Sequence, residues 1–556
     1  MRRRSVPLEV RATAIVLGAC LAACTPTGGP KSGTQTNWLR TCKSNADCGD
    51  LRCLCGACTS SCGDADNCEG LDGAECFAAD EASAVALCAG RRATSLGLCL
   101  LPCPEEGCPG GTSCVAGVCS PVPEPTASVS VDDTQRYQTL VGIGAGLAYV
   151  VDEVVQHPRK AALFDAMFSQ SGLSMLRLRN RHGQDGESVE STGEIVAAAT
   201  ERMGQPPTIM LNCASPPSAL KANDSSWCEA NPDTCTLATL PDGTFDYAGL
   251  AAYWRASLDE YAAVGVVPDY VSIQNNVNWV PPAGAENEAC RYLPTEGTAT
   301  VATDAGDIEV EYPGYAEALD AVLGELAGLD SVPKIIAPET TGVALVASYL
   351  AQLDMGKVDA IAHHLYDSTI DSLDLDALAA LGDLGEENDR PLFQSEMAAD
   401  PLTTAVLMHA SFAVEGVAVY VQNGFVASAS ANPDGLINLT TDDFTLGTRY
   451  HVVRQYSGHI APGWVRVAAD SDEDQVLASA WTSPEDDALV VVLTNPESTP
   501  MAVRIETGIS SPESTAVTRT VLGAEGVERS AELGSLSSGG IVALPPESIV
   551  TVTVRR

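Results

Sequence analysis

The 556-residue sequence reads as a mixed α/β protein. The expected architecture is a (β/α)8 TIM barrel joined to an antiparallel β-sandwich and preceded by a small disulfide-rich region. Three observations carry this. Short apolar runs with strand character recur eight times between Thr139 and Val421, with helical stretches between several of them. After Pro462 the helical period disappears, and β-rich runs follow one another between Pro, Gly, Asp and Ser. Fourteen of the 20 cysteines lie between Cys42 and Cys119, an even number packed as in a disulfide scaffold.

The chain starts with Arg2, Arg3 and Arg4, then the apolar run Ala12–Ala23, then Leu21-Ala22-Ala23-Cys24. The run is too short to span a bilayer as a mature helix, so residues 1–24 read as an export signal. The Leu-Ala-Ala-Cys ending resembles a bacterial lipobox, which implies lipidation at Cys24, a membrane partner through that anchor, and an outer-membrane or cell-surface location. Residues 25–41 are rich in Gly, Pro, Ser and Thr, the composition of a flexible tether.

Within residues 42–119 a spacing recurs. Cys58 is followed by Cys62, Cys68 and Cys76, and Cys99 by Cys103, Cys108 and Cys114, which suggests two related modules. Zinc is the alternative, prompted by Cys53-Leu-Cys55-Gly-Ala-Cys58. The segment has no histidine and the compartment oxidises thiols, so disulfides are expected and no metal is assigned. Residues 120–127 form a Pro-rich linker.

Residues 128–460 are assigned to the barrel. Its strands are expected at Thr139–Leu147, Ser174–Leu178, Thr208–Asn212, Tyr270–Gln274, Lys334–Pro338, Val358–Leu365, Pro391–Ser395 and Gly416–Val421. Asp246 is a plausible N-cap for a helix that puts Leu250, Tyr253, Trp254, Leu258 and Tyr261 on one face. An open doubly wound sheet is the alternative architecture. Its phosphate fingerprint is weak: Gly142-Ile-Gly144-Ala-Gly146 lacks the later glycine and a helix opening on it, so no cofactor is expected. Those glycines read instead as close packing of a barrel strand.

Residues 461–556 are assigned to the sandwich, with strands at Trp464–Ala469, Gln475–Trp481, Ala488–Thr494, Met501–Glu506, Ala516–Val521 and Ile549–Val554. A further strand, Ala127–Val131, is a candidate to join it. Acidic residues number 73 and basic residues 31, for a net charge of −42. That charge argues against nucleic acid or an anionic membrane surface as a partner.

In a barrel of this kind the reactive side chains stand at the C-terminal ends of the strands. Those ends carry Arg177 and Arg179, Ser215, then Gln274, Asn275 and Asn276 with Trp279 behind them, Glu339, His364 and Tyr366, Glu396, and Gln422 with Asn423. Amides bond hydroxyls in both directions, and an indole face stacks on a sugar ring. The set is suited to a polyhydroxylated ligand.

The stretches Gly172-Leu-Ser-Met-Leu-Arg-Leu-Arg179, Ala214-Ser-Pro-Pro217, Val271-Ser-Ile-Gln-Asn275, Ile361-Ala-His-His-Leu-Tyr366, Ser395-Glu-Met397 and Tyr456-Ser-Gly-His-Ile-Ala-Pro-Gly-Trp-Val-Arg-Val467 occur in the order of those in glycoside hydrolase family 30. By these motifs residues 128–556 resemble that family of retaining β-glycosidases, which implies a β-linked oligo- or polysaccharide as partner. The resemblance implies Glu396 as nucleophile and Arg177, Asn275, Trp279, His364 and Tyr366 as substrate-binding residues. It puts the proton donor at position 276, where the family pattern has Gln-Asn-Glu-Pro and this chain has Asn276 followed by Val277. An amide has no proton to give a leaving alkoxide. Ala214 and Gln422 depart further, at positions where the family often has tryptophan. Glu286, Glu288 and Glu339 are the nearby carboxylates that could substitute. Two readings follow: a retaining glycosidase with an unconventional acid, or a surface lipoprotein that binds a glycan without cleaving it. The four later cysteines, Cys213, Cys228, Cys235 and Cys290, are expected to form disulfides bracing the cleft.

Overall fold

The computed structural model describes residues 37–63, 68–92, 96–184, 187–228, 235–281, 285–303, 306–428, 435–537 and 539–556. The export signal, Cys24 and most of the tether lie outside the described residues. No described helix is long and apolar enough to cross a membrane.

Eight parallel strands close into a barrel: β1 (Gly142–Leu147), β2 (Met175–Arg179), β3 (Thr208–Asn212), β4 (Tyr270–Ser272), β5 (Lys334–Thr340), β6 (Ala360–His364), β7 (Leu392–Met397) and β8 (Val419–Gln422), with β8 pairing back onto β1. These are the eight runs expected from the sequence, several shifted by a residue or more at their ends. The strand residues are almost all buried, because helices cover the outside and side chains fill the inside. Alternation along each strand divides the two populations. On β2, Leu176 and Leu178 join the outer core against the helices. Met175 packs inside with Met210, Tyr270, Ile336, Ala360, Ala362 and Phe393. The period of two then carries Arg177 and Arg179 inward, above that apolar floor. On β1, a Cβ on Gly144 would lie 2.9 Å from the Met175 carbonyl oxygen, so glycine is what lets β1 and β2 meet.

Three barrel strands are irregular where the polar residues begin. Register shifts fall between Pro338 and Thr340, between His363 and His364, and between Gln394 and Met397. Such bulges turn side chains out of the regular alternation. They aim Glu339 and Glu396 toward the barrel axis, and Glu339 takes a φ of 58° to do so. The helix Tyr247–Ala263 begins as expected, with the Asp246 carboxylate accepting from the Gly249 amide at 2.7 Å. After β7, Asp400 accepts from the amides of Leu402 and Thr403, and Pro401 opens the helix Pro401–Ala410. This ends the strand shortly after Glu396.

The second domain is a single nine-stranded sheet, mostly antiparallel, that curls so its two halves face each other over one apolar core. The strand Ala127–Thr139 runs through it, pairing with Val465–Ser471 on one side and parallel to Met501–Glu506 on the other. The chain therefore starts in the sheet, builds the barrel, and returns. The helix Thr448–Ser457 and the chain that follows it fill the joint. Phe412 lies 5.3 Å from Tyr456 and 5.2 Å from Trp481, ring centre to ring centre. Gln455 bonds Thr520 and Thr551 of the sheet.

The cysteine-rich region contains three four-cysteine sets, where the sequence suggests two modules. Cys42–Cys53 and Cys48–Cys58, Cys62–Cys76 and Cys68–Cys99, and Cys103–Cys114 and Cys108–Cys119 each join first to third and second to fourth. The first set escapes the spacing comparison because the recurring pattern opens with a cysteine four residues upstream, Cys58 before Cys62 and Cys99 before Cys103, whereas that position before Cys42 holds Trp38. Cys55–Cys88 links the first hairpin to the helix Ala82–Leu87. Cys53, Cys55 and Cys58 each belong to a different bridge. The region docks on the sheet domain: Arg519, paired with Glu528, donates to the Ala86 carbonyl at 3.0 Å, and the Ala116 amide donates to Leu533 at 2.9 Å.

Of the four later cysteines, Cys228 and Cys235 are bonded, whereas Cys213 and Cys290 are buried thiols. Cys213 lies 3.8 Å from the Tyr253 hydroxyl, and burial pushes both thiols upward, so they remain protonated.

Candidate active site

The C-terminal ends of the strands open into a cleft of about 570 Å³. Arg177, Asn275, Asn276, Trp279, Tyr366 and Glu396 all line it, so six of the seven residues singled out as catalytic or substrate-binding meet there. His364 is the exception. It is fully buried, behind Asn276, with Nδ1 2.9 Å from the Asn276 side-chain oxygen.

Glu396 is held from two sides. Arg177 Nη1 donates to Oε2 at 2.6 Å, and the Tyr366 hydroxyl donates to Oε1 at 2.7 Å. Asn423 Nδ2 donates in turn to the Tyr366 oxygen at 3.0 Å. Burial, and after it the Glu396 charge, raises the Tyr366 phenol well above its ordinary range, so it stays a donor. The second guanidinium nitrogen of Arg177 bonds Asn275 Oδ1 at 2.7 Å and Glu339 Oε1 at 3.1 Å. Burial alone would lower the arginine, but Glu339 and Glu396 outweigh it and fix the positive charge. An Asn212 amide oriented with its oxygen toward Arg177 completes the surround, at 2.6 and 3.0 Å.

Three carboxylates were candidates to replace the missing acid. Glu339 is wholly enclosed and does not line the cleft. Burial pushes its carboxyl up, but the Arg177 charge, and after it the His364 imidazole close by, hold it well below the usual range, so it carries no proton at neutral pH. Glu288 lines the cleft but is bound by Arg179 through two nitrogens and by the Tyr149 hydroxyl at 3.1 Å. Glu286 is exposed and outside the cleft lining.

Four other residues expected at the mouth face elsewhere. Gln274 is buried and donates to the Ala214 and Asn275 carbonyls at 2.8 Å, so it braces the loop beneath the cleft. Ser215 and Gln422 are also buried below the surface, and Glu339 sits under Arg177. Gln274, Ser215 and Gln422 are each one position out of phase with a cleft-lining neighbour, respectively Asn275, Ala214 and Asn423. Conversely, Tyr149, Asn212, Asn287, Thr341 and Asp367 line the cleft without having been singled out. Tyr149, Thr341 and Asp367 are loop residues and Asn287 belongs to a strand of only two residues, too short for a periodic pattern to mark orientation; Asn212 ends a strand already recognised and was readable from its alternation with Met210.

Asn276 has a φ of 50°, a conformation asparagine tolerates better than most residues. With its oxygen tied to His364, its amide nitrogen is the group it offers the cleft. Asn275 is arranged alike, its oxygen tied to Arg177. The cleft therefore presents two amide donors beside one carboxylate, with Trp279 as wall.

No protein-family model and no curated protein matches the chain. Solved structures do. A glycoside hydrolase family 30 subfamily 8 xylanase from Clostridium acetobutylicum matches with a TM-score of 0.58 and 20% identity, over 77% of this chain and 100% of that one. A family 30 endoxylanase from Clostridium papyrosolvens C71 matches with a TM-score of 0.58 at 17% identity over the same shares. A conserved exported protein from Bacteroides fragilis gives 0.60 at 13% identity, again over 77% and 100%. At these identities the likeness is one of fold: a closed parallel barrel with an attached β-sheet domain, as in family 30 glycoside hydrolases.

Proposed function

We propose that this glycoside-hydrolase fold binds a β-linked glycan in the barrel cleft and lacks the group that would release its leaving sugar. The observation that carries this is Asn276. It lines the cleft beside Glu396, and the neighbouring glutamates Glu339 and Glu288 are both committed to arginines.

A retaining glycosidase breaks the C1–O bond as a carboxylate bonds C1, while a second carboxyl about 5–5.5 Å away protonates the departing oxygen. Glu396 has the setting of the first group, with two donors on its oxygens to orient it. Asn276 stands where the family resemblance puts the second. Its amide can hydrogen-bond the glycosidic oxygen but cannot transfer a proton to it, so an alkoxide would have to leave unprotonated. General acid assistance is worth roughly 10²–10⁴-fold, and the penalty falls on natural glycosides, whose leaving groups are poor.

Arg177 and Tyr366 on Glu396 also favour a narrower second reading. Glycosides whose leaving group departs as a stable anion could still glycosylate Glu396. The bond to C1 forms, the leaving group takes the electron pair, and no acid is involved. The test is to titrate the purified protein with xylo-, cello- and gentio-oligosaccharides by calorimetry and to assay the same ligands for cleavage. Binding without cleavage is expected. Cleavage of the natural oligosaccharides sinks the binding reading, and absence of any binding sinks the assignment of the cleft to glycans.

The Leu21–Cys24 pattern supports a lipid anchor at Cys24, with the tether and cysteine-rich region holding the barrel off the bacterial surface. Metabolic labelling with a fatty acid should mark the wild type and not Cys24→Ala.

A further inference from the structure

Among the described residues, the aromatic side chains that stand substantially exposed are Tyr137, Tyr149, Trp227 and Tyr366. Tyr366 is at Glu396. Tyr149 lines the same cleft, and Trp227 is its neighbour, with ring centres 6.4 Å apart and planes tilted by 40°. Tyr149 is 47% exposed and Trp227 45%. In a chain only 5% aromatic, three of four exposed rings at one mouth is a concentration without a packing reason, since neither outer ring is covered by the core.

The Tyr149 ring and the Trp227 backbone are held in place. The Arg179 guanidinium lies 4.8 Å from the centre of the Tyr149 ring and covers one face. The Tyr149 hydroxyl donates to Glu288 Oε2, the oxygen that Arg179 Nε also bonds at 2.6 Å. Glu288 belongs to a two-residue strand, Asn287–Glu288, whose partner is Trp227–Cys228, with Trp227 opposite Glu288. One carboxylate thus sets Tyr149 and sits in register with Trp227. The Asn223 side chain donates to the Trp227 carbonyl at 2.8 Å, and the Cys228–Cys235 bond secures the strand.

We infer that Tyr149 and Trp227 form a stacking shelf for a second or third pyranose of a β-linked oligosaccharide whose first ring lies against Glu396. The C–H face of such a ring is apolar and slightly positive, and it meets the negative face of an aromatic ring. Glu288 and Arg179 are positioning residues for this shelf, and that role explains why two buried charges are spent on a pair that takes no part in chemistry at Glu396. The inference rests on reading the cleft as a glycan site.

The test measures affinity of the full mature chain for xylo-, cello- and gentio-oligosaccharides of one to six units, by calorimetry and by quenching of tryptophan fluorescence. In the wild type, affinity rises between the shortest ligands and the trimer or tetramer. In Trp227→Ala the tetramer binds about tenfold more weakly, the shortest ligand that binds the wild type is unaffected, and Trp227→Tyr restores most of the loss. Glu288→Gln, with unchanged circular dichroism, reduces the same length-dependent gain. If the wild type binds these ligands and Trp227→Ala binds the tetramer equally well, the shelf is wrong while the cleft reading stands. If the wild type binds none of them, the cleft reading itself fails and takes the shelf with it.

Discussion

His364 holds Asn276 by a 2.9 Å hydrogen bond from Nδ1 to the side-chain oxygen, while its Nε2 lies 3.6 Å from Glu339. The residue at the position of the expected acid is therefore oriented by a buried histidine. Its amide nitrogen is left to the ligand. Replacing His364 by Leu should free the Asn276 amide to rotate and should weaken glycan binding several-fold. His364→Asn, which can still donate to the Asn276 oxygen, should retain more affinity, and calorimetry on the two variants separates orientation from mere volume.

Arg177 is shared between Glu396 and Glu339, and all three are buried. Removing it leaves two carboxylates enclosed without a counter-charge. Arg177→Met should cost about 3–5 kcal/mol of stability, read as a lowered urea midpoint. Glu396→Gln leaves the Arg177–Glu339 pair intact and should cost much less. If the two variants are equally stable, the arginine is not the centre of this charge arrangement.

Acid should loosen the protein in two stages. Burial pushes His409, His451 and His459 down to about 4, reinforced by Arg466 for His409, by Arg529 and Arg454 for His451, and by Arg454 for His459. The unfolded chain takes up these protons near about 6.5 and the folded chain only near 4. Stability is therefore complete above the upper value and falls as pH drops toward the lower one. Glu339 acts with the same sign in a lower pH window. Its carboxyl is depressed, so its contribution is present above the ordinary carboxylate range of about 4.3 and is lost only below it. His459 bonds Thr518 and Thr553 of the sheet, so the first stage acts at the joint between barrel and sheet. Melting temperatures from pH 7 to 4 should fall less steeply in His459→Gln than in the wild type.

Cys55–Cys88 ties the first hairpin of the cysteine-rich region to the helix that contacts Arg519. The paired change Cys55→Ser with Cys88→Ser should make residues before Cys99 susceptible to proteolysis and leave glycan affinity unchanged. A loss of affinity would mean that this region reaches the cleft.

The barrel was legible because each of its strands is a short apolar run, and the runs survive without any knowledge of pairing. The strand Ala127–Thr139 was legible only in its first half, because beyond Val131 it reads Asp-Asp-Thr-Gln-Arg and is mostly exposed, with no buried residue to mark a period. Ala531–Gly534 and Ile541–Leu544 were missed as short strands among Gly and Ser at the two edges of the sheet. At the site, Glu396 and Asn276 were readable from the ends of their strands. The phase of Gln274 was not, since β4 stops at Ser272 and the alternation ends with it. Tyr149 and Trp227 are 78 residues apart in sequence, and only the pairing of Trp227 with Glu288 brings them together.

The most direct measurement compares the wild type, Asn276→Glu and Glu396→Ala on a natural β-linked oligosaccharide that the wild type binds. The wild type should bind it without cleaving it. Asn276→Glu should cleave it at least about 10²-fold faster than the wild-type background, and Glu396→Ala should abolish that gain when added to it. Wild-type cleavage of the oligosaccharide that disappears in Glu396→Ala would contradict the account, because a proton donor other than residue 276 would then be at work.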